Sequence, residues 1–447
     1  MSEETAPIGG EHSSALQVLS ANLKSSRTDT IIDIRSVLLE ITFYESLARP
    51  YITGYLTLID SERIFENFDV QGGEEIEIII KRSTEIQSAK QIVQNYVIHS
   101  IENTYDTQEF TDVVVVRLID KETFRSGLKN VNRSFEGTPD KIIHNIMVDY
   151  MDREDLLTSA DQSKTESMKV IVPNMTPIEA TQWIRNRAVN LNGFPFYLYK
   201  SALTNQYFFQ DLEQMISKPC VNENAPFVNT QSAGSSTTKS RDVIIKKYEQ
   251  SQTDDLYSLI RDGVVGSEQR YYDVTTGDFE IVDFNINNDL LVDIAELNPR
   301  QKKPLIDGYL ACDDKSVSNY KSVIGSKISG GKVFSYEKSY DEAITEGDNR
   351  KKIKAYAAQK LMEKFQIKIA VDGSDFFHGN HYGVGNNVKV LIRSKSSDEN
   401  NITIDRKQSG DYLIIAAQYV VDPVDGNCNV VLELAKFSNY QSDTYNT

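Results

Sequence analysis

Apolar positions recur every four residues in Asn349–Phe365 (NRKKIKAYAAQKLMEKF), where Ile353, Ala357, Leu361 and Phe365 form one stripe with Tyr356 beside it. Arg350, Lys351, Lys352, Lys354, Lys360 and Lys364 occupy the other faces, a pattern that predicts a surface helix clamped on a sheet. Alternating β-branched runs follow it at 367–371, 388–392, 412–421 and 428–434, separated by Gly383-Val-Gly-Asn-Asn and Asp422-Pro-Val-Asp-Gly-Asn. Short alternating runs between Gly, Asn and Asp clusters predict an antiparallel meander or small barrel.

The same unit stands near the other end of the chain. Gly73-Glu-Glu-Ile-Glu-Ile parallels Gly385-Asn-Asn-Val-Lys-Val at an offset of 312 residues. Tyr96, Ile98, Val114, Val116 and Leu118 fall on Tyr412, Ile414, Val430, Leu432 and Leu434 at a constant 316. A fixed offset preserves which residues face inward, so a structural duplication is expected.

Between the two units the pattern changes several times. Residues 1–28 show no period and are expected to form a flexible N-terminal arm; strands begin at Thr30, and Asp60 is placed to cap a short helix reaching Phe68. Thr138-Pro139 and Thr176-Pro177 each open a helix, with Glu179 completing a capping box, and a hairpin follows at Phe194–Tyr199 and Tyr207–Leu212. Pro219–Ser240 is Ser/Thr/Asn-rich and is expected to be a linker. Strands are expected at 243–246, 266–274 and 279–284, and an irregular stretch from Asn285 to Lys332. The expected organisation is an arm (1–28), a first β domain (29–125), an α+β insertion (126–218), a linker (219–240), a β-rich region (241–340), a second β domain (341–437) and a tail (438–447). The fold class is therefore α+β, mainly β.

The net charge of −17 argues against a surface that grips nucleic acid, which needs clustered Lys and Arg, while an acidic wall lets phosphates slide past. Three distant cysteines, Cys220, Cys312 and Cys428, do not make a disulfide framework and suit a reducing compartment. The apolar runs are too short to span a bilayer, and no leader-like segment opens the sequence.

Catalytic signatures are missing: there is no GxxxxGK(S/T), GxGxxG behind a strand, HExxH, CxxC or GxSxG. Asp372, Asp375, His378 and His381 lie close together in sequence, but no further Cys or His completes a zinc site, and a polar turn is the expected reading. Asp254-Asp255 and Asp313-Asp314 do not fit a calcium loop and are expected to be solvated. Trp183, the only tryptophan, is expected to anchor a core. No catalytic, cofactor-binding or metal-ligating residue is assigned.

The order of elements resembles the baseplate hub subunit of contractile-tailed bacteriophages. The stretches that carry the likeness are Tyr51-Ile-Thr-Gly-Tyr-Leu-Thr-Leu-Ile-Asp-Ser with Gly72-Gly-Glu-Glu-Ile-Glu-Ile, Val97-Ile-His-Ser-Ile-Glu-Asn with Phe135-Glu-Gly-Thr-Pro-Asp-Lys-Ile-Ile, Pro173-Asn-Met-Thr-Pro-Ile-Glu-Ala with the following hairpin, and the C-terminal unit. The N-terminal arm and the loops at 219–240 and 393–410 have no counterpart in that family. The resemblance implies a structural virion protein without enzymatic activity or cofactor. It implies that 29–125 and 341–437 are tube-like β-barrel domains, with 241–340 partly contributing to the second, and a homotrimer whose six similar barrels adapt a threefold central spike to a sixfold tail tube, contacting tube-initiator, tube and wedge proteins. DNA would pass through its lumen, expected to be acid-lined, without specific binding, and no membrane insertion is implied. The alternatives are the spike or hub of a type VI secretion or tailocin-like device, whose repetitive C-terminal β-helix is not present here, a cell-envelope-degrading tail hydrolase, and a receptor-binding tail protein.

Overall fold

In the computed structural model, residues 16–439 are described apart from 26, 28–29, 62, 83–90, 109–110, 159–166, 230–242, 251–255, 274–276, 278, 298–302, 305–310, 313–314, 330–345, 374–375, 377–381, 395–403 and 406. The front of the chain supplies β1 (Leu16–Lys24), β2 (Ile31–Asp33), β3 (Leu38–Ser46), β4 (Arg49–Asp60), β5 (Glu75–Arg82), β6 (Ile92–Gln108) and β7 (Thr111–Asp120). Asp60 accepts from the Ile64 and Phe65 amides at 2.6 and 3.0 Å and so holds the start of the short helix Ile64–Asn67.

The insertion carries β8 (Ser134–Gly137), β9 (Leu156–Thr158), β10 (Met168–Ile171), β11 (Phe196–Lys200) and β12 (Tyr207–Asp211). These form a two-stranded sheet, β10–β8, and a three-stranded one, β11–β12–β9. Helices Pro139–Met151 and Pro177–Arg185 pack on them around a separate core that includes Ile142, Ile146, Val170, Ile184 and Phe209. Thr176 and Glu179 form the expected capping box. The Thr138 side chain makes no capping bond, so proline at the first turn starts that helix without it.

The rear contributes β13 (Phe227–Asn229), β14 (Val243–Ile244), β15 (Lys247–Gln250), β16 (Gly266–Asp273), β17 (Phe279–Asn285), the two-residue β18 (Lys303–Pro304), β19 (Ala311–Cys312) and β20 (Lys315–Ser316), then β21 (Val323–Ser329), β22 (Gln366–Asp372), β23 (Asn387–Ile392), β24 (Gly410–Val421), β25 (Cys428–Ala435) and β26 (Ser438–Asn439). The long helix spans Glu346–Lys364; it buries Ile353, Ala357, Ala358 and Leu361, and Phe365 just beyond its end is buried with them. The protein is thus α+β and mainly β, as its pattern predicts.

One 14-stranded sheet runs through both ends of the chain. Its front half has the order β3-β4-β7-β6-β5-β1 and its rear half the order β15-β22-β25-β24-β23-β13, so corresponding strands occupy corresponding places. The two expected tube-like barrel domains are open within the chain: among the described residues no pairing closes either half. The halves join edge to edge instead. β24 is 12 residues long, and β23 covers only Gly410–Leu413, which leaves Ala416–Val421 for β3.

Three further expectations are revised. The N-terminal arm contains β1, which pairs with β5 and β2 and buries Leu16, Val18, Ala21 and Leu23. A register shift between Val18 and Ser20 breaks its alternation, which hid the strand from a period-two reading. The linker contains Cys220, which bridges to Asn387, and β13, which pairs with β23; Asn222 binds the backbone of Lys389 through both ends of its amide. The stretch read as irregular holds a helix over Asn287–Leu297, opening with a wide π turn, and β21 beside β16. Leu290, Leu291 and Ile294 are its buried face, and Arg350 of the long helix lies 3.3 Å from its Asp289.

Candidate functional site

The two halves match at the level of single hydrogen bonds. In the front, the Gly73 amide donates to the Ile98 carbonyl at 2.9 Å and the Ile98 amide to Glu74 at 2.9 Å. In the rear, Gly385 donates to Ile414 at 3.0 Å and Ile414 to Asn386 at 3.0 Å. Ile98 sits opposite Leu118 and Ile414 opposite Leu434, and a register shift follows each, between Ile98 and Ser100 and between Ile414 and Ala416. A bulge rotates every side chain beyond it, so its recurrence at the same place is far more specific than shared alternation.

Both glycines adopt a backbone that other residues enter only with strain, φ +91° at Gly73 and +85° at Gly385. Their surroundings differ. A methyl group at Gly73 meets nothing within 4 Å, whereas at Gly385 it falls 2.3 Å from the Tyr199 hydroxyl of the insertion. Gly73→Ala is expected to cost about 1–2 kcal/mol from backbone strain alone, and Gly385→Ala clearly more. Urea unfolding of the two variants measures the difference, and equal losses would contradict the packing described.

The seam between the halves pairs Ala416–Val421 of β24 with Ile41–Ser46 of β3. Glu45 lies in it, 1% exposed. Its carboxylate accepts from the Ala202 amide at 2.5 Å, the Val384 amide at 3.0 Å and the Tyr419 hydroxyl at 2.9 Å. One side chain therefore ties the front sheet to the insertion, to the glycine turn of the rear half and to β24. Burial pushes the Glu45 carboxyl above its ordinary range, against the pull of its three donors. Burial likewise raises the Tyr419 hydroxyl, and the Glu45 charge adds to that.

A second tie lies two residues away, at the C-terminal end of β11. Lys200 is 1% exposed, with its ammonium 3.0 Å from Glu122 and 3.5 Å from Asp120. Asp120 also accepts from the Ile52 amide at 3.1 Å and the Thr123 amide at 2.7 Å, while Arg153 reaches Glu122 at 3.1 Å. The insertion is thus held to the front half by a buried charge cluster and by Glu45, both at the turn end of its β11–β12 hairpin.

Beside the seam lies a groove of about 540 Å³, lined by Tyr44, Tyr51 and Tyr55 from the front and Lys368, Gln418 and Glu433 from the rear among others. Tyr44 meets Tyr55 edge-on with centroids 5.9 Å apart, and Lys368 pairs with Glu433 at 3.1 Å. Signs are mixed here, so this stretch does not carry the chain's acidic excess.

Of the residues singled out from sequence, Asp372 is exposed at the end of β22, 3.5 Å from Lys246. Asp375, His378, His381, Asp254, Asp255, Asp313 and Asp314 lie outside the described residues. Among the described residues no group of three or more His, Cys, Asp and Glu is placed to hold a metal ion. Among them too, no helix is long and apolar enough to cross a membrane. Trp183 is half-buried against the insertion core, and the Arg187 guanidinium stacks 3.7 Å from its ring centre. Cys220 and Cys428 are free and buried, and burial raises both thiols well above their usual range. Glu45 and Lys200 were not foreseen, because every partner of either lies far away in sequence.

No protein-family model matches the sequence, and no curated protein matches it. Solved structures do. A tail protein from Neisseria meningitidis MC58 aligns with 93% of this chain and 96% of its own at a TM-score of 0.51 and 13% identity. The 43 kDa tail protein of prophage MuSo2 from Shewanella oneidensis aligns with 93% of this chain and 98% of its own at a TM-score of 0.53 and 10% identity. The chain shares the fold of these two tail proteins over nearly its whole length.

Proposed function

We propose that this chain is a structural hub subunit of a contractile phage tail. Three copies close into a ring with six similar half-units, which joins a sixfold tail tube to a threefold central spike and continues the DNA channel. The carrying observation is the match between front and rear halves in strand order, register, bulge and glycine turn. Duplicated halves let one chain present two equivalent surfaces, the geometric requirement for matching threefold and sixfold partners. The shared fold with two tail proteins supports the same reading.

The action is positional. The subunit holds its neighbours through sheet edges and side-chain packing, and its net charge of −17 opposes retention of the DNA that passes. Static light scattering of the purified protein tests the ring. Three chains of 50.6 kDa give a species of about 150 kDa, in equilibrium with monomer on dilution. A stable dimer, or a monomer at every attainable concentration, would refute it.

A further inference from the structure

The groove beside the seam is shaped by one cross-strand row. Lys368 faces Glu433, Glu433 faces Ala416, Ala416 faces Ser46 and Ser46 faces Arg49, so these five residues lie side by side on one face of β22, β25, β24, β3 and β4. All five line the groove. The two shortest side chains stand in the middle of the row and charged ones at its ends, which makes a trough running across the strands. Tyr44 and Gln418 face each other in the next row, and with Tyr51 they wall the groove.

The two ends of the trough differ electrically. Lys368 and Glu433 neutralise each other at 3.1 Å. Arg49 is exposed, and its guanidinium has no hydrogen-bond or ion-pair partner among the described residues. We infer that the trough binds a short extended segment of another polypeptide, with an Asp or Glu side chain at Arg49 and an apolar or aromatic side chain over Ala416 and Ser46 against the tyrosines. The site belongs to the single chain, lies beyond the hub role and does not need the ring.

Size, charge and chemistry choose the occupant. Neighbouring strands lie about 4.8 Å apart, so Glu433 and Arg49 are separated by roughly 14 Å, and about three extended residues fit between them. A guanidinium takes a carboxylate through two parallel N–H donors, and tyrosine offers rigid contact area with a hydroxyl at its tip. Nucleic acid does not suit the trough: one unpaired cation is too few for a phosphate backbone, and the net charge of −17 opposes it. Nor does the duplicated sheet require these tyrosines. Tyr55 faces Arg117 and Lys368 faces Glu433, equivalent places at the same offset of 316. The front half thus carries a ring with a guanidinium 5.5 Å from its centre where the rear carries an ion pair.

Isothermal titration calorimetry on the full chain tests the site with N-acetyl-Phe-Glu-amide and its uncharged counterpart N-acetyl-Phe-Gln-amide. The glutamyl peptide is expected to bind with a Kd on the order of 1 mM, and the glutaminyl one at least tenfold more weakly. Arg49→Ala is expected to abolish that preference at an unchanged melting temperature. Ala416→Leu, which fills the trough, is expected to weaken both peptides. Equal binding of the two peptides, no binding up to about 10 mM, or a preference that survives Arg49→Ala overturns the site. Binding that Ala416→Leu leaves intact lies elsewhere and overturns it too. Hexathymidylate bound more tightly than the glutamyl peptide, and lost in Arg49→Ala, would make the trough a nucleic-acid site and overturn the polypeptide assignment. None of these results bears on the ring, which light scattering decides.

Discussion

Replacing Glu45 with alanine lowers the unfolding free energy by about 3–6 kcal/mol, because three buried donors at about 1–3 kcal/mol each lose their acceptor. The affected groups are the amides of Ala202 and Val384 and the Tyr419 hydroxyl, one in the insertion and two in the rear half. Glutamine does not restore the site, since its NH₂ end must face one of these donors. The effect has a pH signature. Burial raises the folded carboxyl's pKa above its ordinary value of 4.5. A raised carboxyl contributes stability that is fully present below the unfolded pKa and is lost as pH rises through the folded one. The gap between wild type and Glu45→Ala is therefore expected to widen as pH falls from neutral towards about 4.5. Denaturant titrations at several pH values read this directly. A loss under about 1 kcal/mol would show that the three-way tie is not made in solution.

Lys200→Ala is the second large effect, a loss of about 3–5 kcal/mol, the range for removing one partner from a buried charge cluster. Asp120 is 1% exposed, so without the ammonium its charge stays buried beside Glu122. Here the pH signature has the opposite sign. Burial works to raise the Glu122 carboxyl, but Lys200 and then Arg153 outweigh it and hold the group below its ordinary range. A depressed carboxyl contributes stability present above the unfolded pKa and lost as pH falls through the folded one, so wild type loses this contribution in acid. In Lys200→Ala the acid-dependent part is expected to shrink, and an unchanged acid limb would show that Lys200 does not set the Glu122 ionisation.

Much of the sheet was legible because its information is local. Ile98 and Ile414 stand in the same phase of their strands, and the glycines at 73 and 385 mark the same turn, so a constant offset carried through to equivalent backbone hydrogen bonds. Where phase breaks, the reading failed. The bulge in β1 shifts the buried set from Leu16 and Val18 to Ala21 and Leu23, and no single period fits both pairs. β13 is three residues in a Ser/Thr-rich stretch, too short to show a period, and is fixed by its neighbour β23. The helix at Asn287–Leu297 did have a readable stripe in Leu290, Leu291 and Ile294, obscured by its Asn and Asp content. The ties at Glu45 and Lys200 join residues up to hundreds of positions apart, and one sequence holds no signal for such pairs.

The strands flanking β5 and β23 occupy the same place but arrive differently: β1 runs antiparallel to its neighbour, and β13 runs parallel to its own. That slot accepts a segment travelling either way, provided it supplies apolar side chains to the core. The kernel that the two lobes share is then five strands, and the outermost member is supplied by a different part of the chain in each. Duplicated architectures can diverge in this manner at their margins, with new excursions such as the insertion spliced in upstream, while the kernel's geometry stays fixed.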